Sequence, residues 1–96
     1  MIPGSVSKLS ETTVASAASI VAKSDVVKVT GTTQIDTILP AFGGANDVFL
    51  ILIPISGSVV LSTAGNILIG ITAVINRAVF MVYSKTTGKW FINSGV

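Results

Sequence analysis

The stretch 48–71 constrains the fold of this chain more than any other part of the sequence. It reads VFLILIPISGSVVLSTAGNILIGI. It contains three short apolar runs separated by turn-forming residues, and these runs are 48–55, 58–61 and 67–71. Short runs rich in β-branched residues and bounded by Gly, Pro, Ser and Asn are typical of strands. Their close spacing predicts an antiparallel meander.

The first of these runs, 48–55, does not alternate between apolar and polar residues, so we expect both faces of this strand to be covered. One face would pack against the core of the chain and the other against a second subunit. The predicted subunit-interface residues are Phe49, Ile51, Ile53 and Ile55. Pro54 lacks an N–H group and is expected at a sheet edge, a bulge or the end of the strand.

Further strand patterns lie on both sides of this stretch, at 20–23, 26–30, 34–38, 71–76, 78–83 and 89–92. Gly88 would supply the positive φ of a tight turn in the last hairpin. About seven to eight short strands, spaced by roughly eight to twelve residues, predict an all-β domain over 17–96. We expect a compact antiparallel β-sandwich or barrel, with no internal repeat and no second domain.

The first 16 residues, MIPGSVSKLSETTVAS, have no sustained alternation. Residues 10–13 could cap a short helix, or the segment could be a disordered leader, because chain ends are poorly ordered unless they are tied down. A third interpretation is a flexible N-terminal arm that orders on a partner surface. The residues predicted to grip that surface are Ile2, Pro3, Val6, Lys8 and Leu9.

The low charge of the chain favours self-association. Only six cationic and four acidic residues occur among 96, and half of the chain is apolar, whereas about 25% of residues are charged in a typical domain. A monomer of this composition would expose contiguous apolar patches, which soluble monomers rarely do. We therefore expect an obligate homo-oligomer. The net charge of +2 is spread over isolated residues, so we expect no nucleic-acid partner.

The residue types argue against catalysis and against bound cofactors. The sequence contains no His and no Cys, so the usual general bases, soft nucleophiles and thiolate ligands are missing. Asp36 and Asp47 could form a carboxylate pair for glycoside hydrolysis, but isolated Asp residues beside turns are more commonly solvated or bonded to their own backbone. We expect a protein that is not an enzyme and that holds no metal or cofactor.

Membrane insertion and export are also not expected. No run reaches the roughly 18 uninterrupted apolar residues of a membrane helix. The first five residues, MIPGS, lack the cationic start and the apolar segment of a signal peptide.

Two aromatic residues flank the predicted turn at 86–88. Tyr83 and Trp90 could pack together across the last two strands. Alternatively, they could form a surface on which a glycan stacks, as in a receptor-binding tip.

One segment carries a resemblance to a known family. Residues 26–38 read VVKVTGTTQIDTI. They are followed in order by a Gly-Gly loop at 43–44, an apolar strand at 48–53, a V-V-L-S segment at 59–62, an A-G-N-I turn at 64–67, a hydrophobic strand at 79–83 and a K-W pair at 89–90. This order resembles a small β-domain of tailed-phage virion structural proteins, found in tail fibres, spikes and capsid decoration proteins.

The resemblance implies a trimer that binds the major capsid protein or another virion protein. Such domains usually end a longer fibre chain, whereas this chain starts with its own Met and has 96 residues. We therefore expect a capsid decoration, cement or head-fibre protein on the outer capsid surface. The alternative is a tail-fibre or spike module that recognises a host glycan.

Overall fold

The protein is all-β, as the sequence predicts. The computed structural model describes residues 10–92. The strands are β1 (Glu11–Ala15), β2 (Ser19–Val21), β3 (Val26–Thr30), β4 (Thr37–Leu39), β5 (Val48–Pro54), β6 (Val59–Leu61), β7 (Ile71–Ala73), β8 (Val79–Ser84) and β9 (Lys89–Ile92). A short 3₁₀ helix, Ala41–Gly44, precedes β5.

The strands form one large sheet and two small ones in a sandwich-like arrangement. The large sheet has the order β1-β3-β5-β8-β9, and the small sheets are β2-β4 and β6-β7. The predicted antiparallel pairing holds for β5-β8, β8-β9 and β6-β7. However, β1-β3, β3-β5 and β2-β4 are parallel. The predicted meander is therefore wrong where it would pair β5 with β6, because β5 lies between β3 and β8.

The parallel pairs arise because the chain from β1 to β6 winds in successive coils. Glu11 pairs with Val26, which pairs with Ile51, and an isolated parallel bridge joins Ile35 to Leu61. The first of these steps spans 15 residues and the second spans 25. Coils of such unequal length leave no sequence repeat, although each new strand lies beside the strand one coil earlier.

One continuous apolar core lies between the large sheet and the small sheets. Its members alternate along each strand with outward residues. The largest fully buried side chains are Trp90, Ile35, Ile38, Leu50, Leu52, Leu61, Ile67, Met81, Val27, Val29, Val59 and Pro54. Pro54 is the last residue of β5, as its missing N–H group predicts. Among the described residues, no polar or charged residue is buried, so apolar burial dominates this core.

The N-terminal part of the described chain belongs to the domain. Residues 11–15 form the edge strand β1, so the predicted helix at this position is wrong and the sheet starts before residue 17. The Val26 N–H donates to Ser10 O at 3.0 Å, and the Ser16 N–H donates to Thr30 O at 2.8 Å. Val14 packs against the core. The predicted arm residues Ile2, Pro3, Val6, Lys8 and Leu9 lie outside the described residues.

The last hairpin closes the large sheet. Gly88 has φ +68° in the turn between β8 and β9, which confirms the predicted positive φ. Beyond β9, the segment 66–68 continues the sheet edge: the Trp90 N–H donates to Asn66 O at 2.8 Å, and the Leu68 N–H donates to Trp90 O at 3.0 Å. This segment joins the large sheet to the loop that leads into β7.

Candidate subunit interface

The outer face of the large sheet carries a group of apolar side chains, which we call the sheet-face patch. Its members project from three adjacent strands and are Phe49, Ile51, Ile53, Phe80, Val82 and Phe91. Ile51 pairs with Phe80, and Val82 pairs with both Phe49 and Phe91. Because directly paired residues point to the same face of a sheet, these side chains form one contiguous surface.

The side chains of this patch are largely open to solvent in the single chain. Phe49, Phe80 and Phe91 are exposed by 47, 45 and 43%. With about 200 Å² for a whole Phe side chain, the three rings leave roughly 270 Å² accessible. Val82 and the half-buried Ile51 and Ile53 bring the patch to the order of 400 Å². This lies within the ~300–600 Å² of the largest apolar patch on a typical monomer, which is often functional.

The structure places the four predicted interface residues on or beside this surface. Phe49, Ile51 and Ile53 point outward from β5, whereas Leu50 and Leu52 point into the core. Ile55 follows the strand and is 38% exposed. Of the two faces predicted to be covered, one is buried within the chain and the other is open. Whether a second subunit covers the open face stays a prediction.

Sequence reasoning missed the half of the patch that β8 and β9 contribute. In β8, the exposed Phe80 and Val82 alternate with the buried Val79 and Met81. The segment consists almost entirely of apolar residues, so the alternation is invisible at the level of hydrophobicity. The number of bulky apolar residues could have indicated the exposed face, because the core of a small domain cannot bury both faces of β5 and β8.

The two rings at the centre of the patch already contact each other. The Phe49 and Phe80 centroids are 5.9 Å apart with an interplanar angle of 47°, which lies within the range of favourable aromatic pairs. Rings held in this way lose little side-chain freedom when a partner covers them. The two central rings are therefore already ordered against each other in the single chain.

A polar margin borders the patch on the side of β1 and β3. Lys28 Nζ lies 3.3 Å from Glu11 Oε2, and both side chains are partly exposed. Thr13 of the edge strand continues this margin. An apolar centre beside a polar rim is the usual anatomy of a protein interface. The exposed ion pair itself adds little stability, typically below ~1 kcal/mol.

A second group of exposed apolar side chains, which we call the hairpin patch, lies on and beside the β6-β7 pair. Its members are Val60, Ile69, Val74 and Ile75, exposed by 44, 58, 42 and 36%. Leu68, which is 45% exposed, lies beside β9 at the edge of the sheet-face patch. The two patches therefore approach each other at residues 68 and 69.

Tyr83 and Trp90 pack together across β8 and β9, as one of the two interpretations predicts. They are paired in register, and their rings lie 5.4 Å apart in an edge-to-face arrangement. Trp90 is fully buried, and its Nε1–H donates to the Ile38 carbonyl at 2.8 Å. No ring face of Trp90 is free for a sugar, so the glycan-stacking prediction for this residue is wrong.

The two Asp residues considered for catalysis each accept a hydrogen bond from a distant part of the chain. Asp36 Oδ1 accepts from the Ser62 hydroxyl at 2.5 Å and from the Gln34 side-chain amide at 2.8 Å. These bonds, the first more than the second, lower the pKa of Asp36 from its ordinary value of 3.8. Asp47 Oδ1 accepts from the Lys85 N–H at 2.8 Å. Both carboxylates connect separate loops, and the expected bonds to their own backbone are not among these contacts.

The described residues bring no cluster of metal-ligating side chains together, and a cavity opens at one end of the sandwich. No group of three or more His, Cys, Asp or Glu residues comes together within 10–92. A cavity of about 320 Å³ opens at one end of the sandwich between Lys23, Asp25, Phe49 and Trp90. Within residues 10–92, every buried side-chain nitrogen or oxygen atom has a hydrogen-bond partner, whereas the charged groups that line this cavity, on Lys23 and Asp25, belong to exposed residues.

Comparisons with models of known protein families, with curated proteins and with solved structures found no match to this chain. Within residues 10–92, no helix is long and apolar enough to cross a membrane. The sheet-face patch and the hairpin patch are therefore the surfaces from which a function can be argued.

Proposed function

We propose that this chain is a non-enzymatic structural protein of a tailed-phage virion. In this proposal it assembles as a homotrimer through the sheet-face patch and decorates the outer surface of the capsid. The observation that carries the assembly is the contiguous, solvent-exposed apolar surface on β5, β8 and β9. The viral setting rests on the resemblance of residues 26–38 and the segments that follow them.

The energetics of the patch favour assembly. Burying on the order of 400 Å² of apolar surface contributes about 10 kcal/mol per protomer at ~25 cal/mol per Å². The loss of translational and rotational freedom offsets about 4–15 kcal/mol for each association event. The patch therefore reaches the range in which self-association at micromolar concentration becomes favourable, and further contacts would make the oligomer obligate.

The assembly is tested by the native mass of the protein at micromolar concentration. We expect a trimer for the unchanged chain and a monomer for Phe80→Asp, because a buried unpaired charge disrupts an apolar interface. Thr86→Asp introduces the same charge at an exposed position of the β8-β9 turn and serves as the matched control. A trimer that persists in Phe80→Asp, or an unchanged chain that is monomeric, would contradict the proposal.

Shell binding is tested separately from assembly. The proposal assigns this role to residues 1–9, which include Ile2, Pro3, Val6, Lys8 and Leu9. A variant lacking these residues keeps all of β1 and should still assemble. It should no longer sediment with assembled shells of the phage that encodes it. Retained sedimentation would show that the capsid contact lies elsewhere.

A further inference from the structure

We infer that the outer edge of β1 pairs with β1 of a second copy as an antiparallel, two-fold symmetric strand pair. The partner is another copy of this chain, and the pair joins the two five-stranded large sheets into one continuous sheet. The contact uses no residue of the sheet-face patch. It therefore goes beyond the proposed assembly and neither requires nor excludes it.

The two edges of the large sheet differ. Beyond β9, the segment 66–68 continues the hydrogen bonding, whereas no strand of residues 10–92 lies beyond β1. Proteins commonly protect such an edge with Pro, Lys or a bulge. β1 reads ETTVA, with Glu11 as its one charged residue, and its register with β3 is unbroken over all five residues. The edge of β1 is therefore a regular template for another strand.

The hydrogen bonds to β3 show which backbone groups of β1 point outward. Ser10 O accepts a bond from β3 at 3.0 Å, and the Ser16 N–H donates one to β3 at 2.8 Å. In a parallel ladder, alternate residues direct both their N–H and their C=O groups to the same neighbour, so the even-numbered residues of this segment face β3. The residues whose N–H and C=O groups point away from the sheet are therefore Glu11, Thr13 and Ala15.

One antiparallel register lets β1 satisfy all of these outward groups by itself. With Thr13 on the two-fold axis, every outward N–H group of one copy meets an outward C=O group of the other. Thr13 then faces Thr13 of the second copy, a favourable cross-strand pair, and Glu11 faces Ala15. A register centred on any other residue of β1 leaves one of the three beyond the end of the partner strand. Centring on Glu11 also sets two carboxylates directly opposite each other, which is unfavourable.

This self-complementarity is what a two-fold contact requires, because both copies present the same surface to each other. The contact is small, since two five-residue edges bury far less than the ~800 Å² per partner of a standard interface. We therefore expect the pair in solution above the micromolar range, or wherever copies are already held side by side.

Disulfide trapping tests the register in the full chain, because the sequence contains no Cys. Residues opposite each other in a hydrogen-bonded antiparallel pair have Cα atoms ~5.5 Å apart, within the roughly 4.4–6.8 Å range of disulfides. After mild oxidation at millimolar concentration, Thr13→Cys should link to itself, and a mixture of Glu11→Cys with Ala15→Cys should link one copy of each. Glu11→Cys alone and Ala15→Cys alone should stay unlinked, because the two thiols then lie roughly 14 Å apart at ~3.4 Å per residue. A non-reducing denaturing gel counts the linked pairs whatever the native oligomer is.

A blocking variant tests the contact from the opposite direction. Thr13→Glu places its carboxylate beside Lys28, which pairs with residue 13 in the same chain, but it sets two carboxylates opposite each other across the two-fold axis. Added to both members of the Cys mixture, it should abolish the linked dimer. Thr86→Glu adds the same charge at an exposed turn position and should leave the dimer unchanged.

Each contrary result overturns the inference in a distinct way. No linked dimer in any combination, up to the highest soluble concentration, would disprove the strand pair, and equal yields in all combinations would disprove the register. Linking that appears only after residues 1–9 are deleted would show that those residues cover the edge in the full chain. None of these results bears on the sheet-face assembly, which Phe80→Asp tests separately. Circular dichroism checks each fold, and if Thr13→Glu unfolds the chain, Thr13→Lys takes its place.

Discussion

The indole N–H of Trp90 donates a 2.8 Å hydrogen bond to the backbone carbonyl of Ile38, 52 residues earlier in the chain. The same carbonyl accepts a 2.7 Å hydrogen bond from the side-chain amide of Asn66. Trp90 lies on β9 and Ile38 lies on β4, so this hydrogen bond joins the β8-β9 hairpin to the small β2-β4 sheet. All three residues are thereby linked through one buried acceptor.

Trp90 is buried, so its replacement should destabilise the fold itself and should not change an exposed surface. We expect Trp90→Phe to lower the free energy of unfolding by about 1–3 kcal/mol, since it removes the buried donor and part of the ring volume. Trp90→Ala should cost about 3–5 kcal/mol. Urea denaturation followed by circular dichroism measures both. Tyr83→Phe keeps its ring against Trp90 and is the control. A midpoint for Trp90→Phe equal to that of this control would contradict the prediction.

Asn66 takes the place of a neighbouring strand at the edge of β4. Its Oδ1 accepts from the Ile38 N–H at 2.9 Å, while its Nδ2 donates to the Ile38 carbonyl. Asn66→Asp keeps the acceptor but loses the donor and turns a negative charge toward a carbonyl. We expect a loss of about 1–3 kcal/mol at neutral pH. Thermal unfolding should show this deficit shrinking below about pH 4, where a protonated carboxyl can donate again. A deficit that is constant with pH would disprove the bidentate role.

Gly65 allows a close approach between the 62–66 loop and the start of β4, at Asp36 and Thr37. A Cβ at this position would run into Thr37 Oγ1 and the Asp36 backbone. The backbone cannot move aside as a flexible side chain would, so we expect Gly65→Ala to lower the free energy of unfolding by about 2 kcal/mol or more. Gly43→Ala is a matched control: its Cβ meets open space, and only the φ of +62° opposes it, at about 1 kcal/mol. Equal thermal midpoints for the two variants would contradict the predicted clash.

The local strand patterns were readable from the sequence, whereas the neighbours of each strand were not. The bounds predicted for β3 and β9 match the structure, because Val27 and Val29 alternate with Lys28 and Thr30, and because Gly88 marks the last turn. Parallel pairing leaves no local trace, since periodicity describes one strand at a time. Edge strand β1 was missed because its sequence, ETTVA, includes just one large apolar residue, the inward Val14.

The candidate interface was partly predictable for a similar reason. The outward residues of β5 were identified because an unbroken apolar run implies two covered faces. Their partners Phe80, Val82 and Phe91 were not, because recognising them requires the β5-β8-β9 pairing. The burial of Trp90 also depends on that pairing and on its bond to Ile38. A lone Trp near a turn gives no sign of which side of the sheet it occupies.

Asp36 should make the free energy of unfolding depend on pH in the acidic range. Hydrogen bonds from Ser62 and Gln34 lower the pKa of Asp36 in the folded state from 3.8. The resulting stabilisation is fully present above the unfolded value and is lost as the pH falls through the folded pKa. Ser62→Ala removes the stronger of the two bonds and should flatten the decline in stability below about pH 4. Asp36→Asn removes the titrating group and should flatten it further. Urea midpoints measured between pH 2 and 7 check both variants, and unchanged slopes would contradict this role.

Two truncations should separate the contribution of β1 from that of the residues before it. Deleting 1–16 removes β1, its hydrogen bonds to Val26 and Thr30, and the packing of Val14 on the core. Deleting 1–9 leaves these contacts in place. The deletion also removes the five-residue parallel ladder between β1 and β3. At about 1 kcal/mol per net hydrogen bond, with a similar amount for the half-buried Val14, the longer deletion should be less stable by at least ~4 kcal/mol. Urea denaturation of the two truncated chains measures the difference directly. Equal midpoints would mean that β1 unfolds independently of the other strands. The longer deletion would then be the better starting point for locating the shell-binding residues, because it would remove the whole segment without cost to the fold.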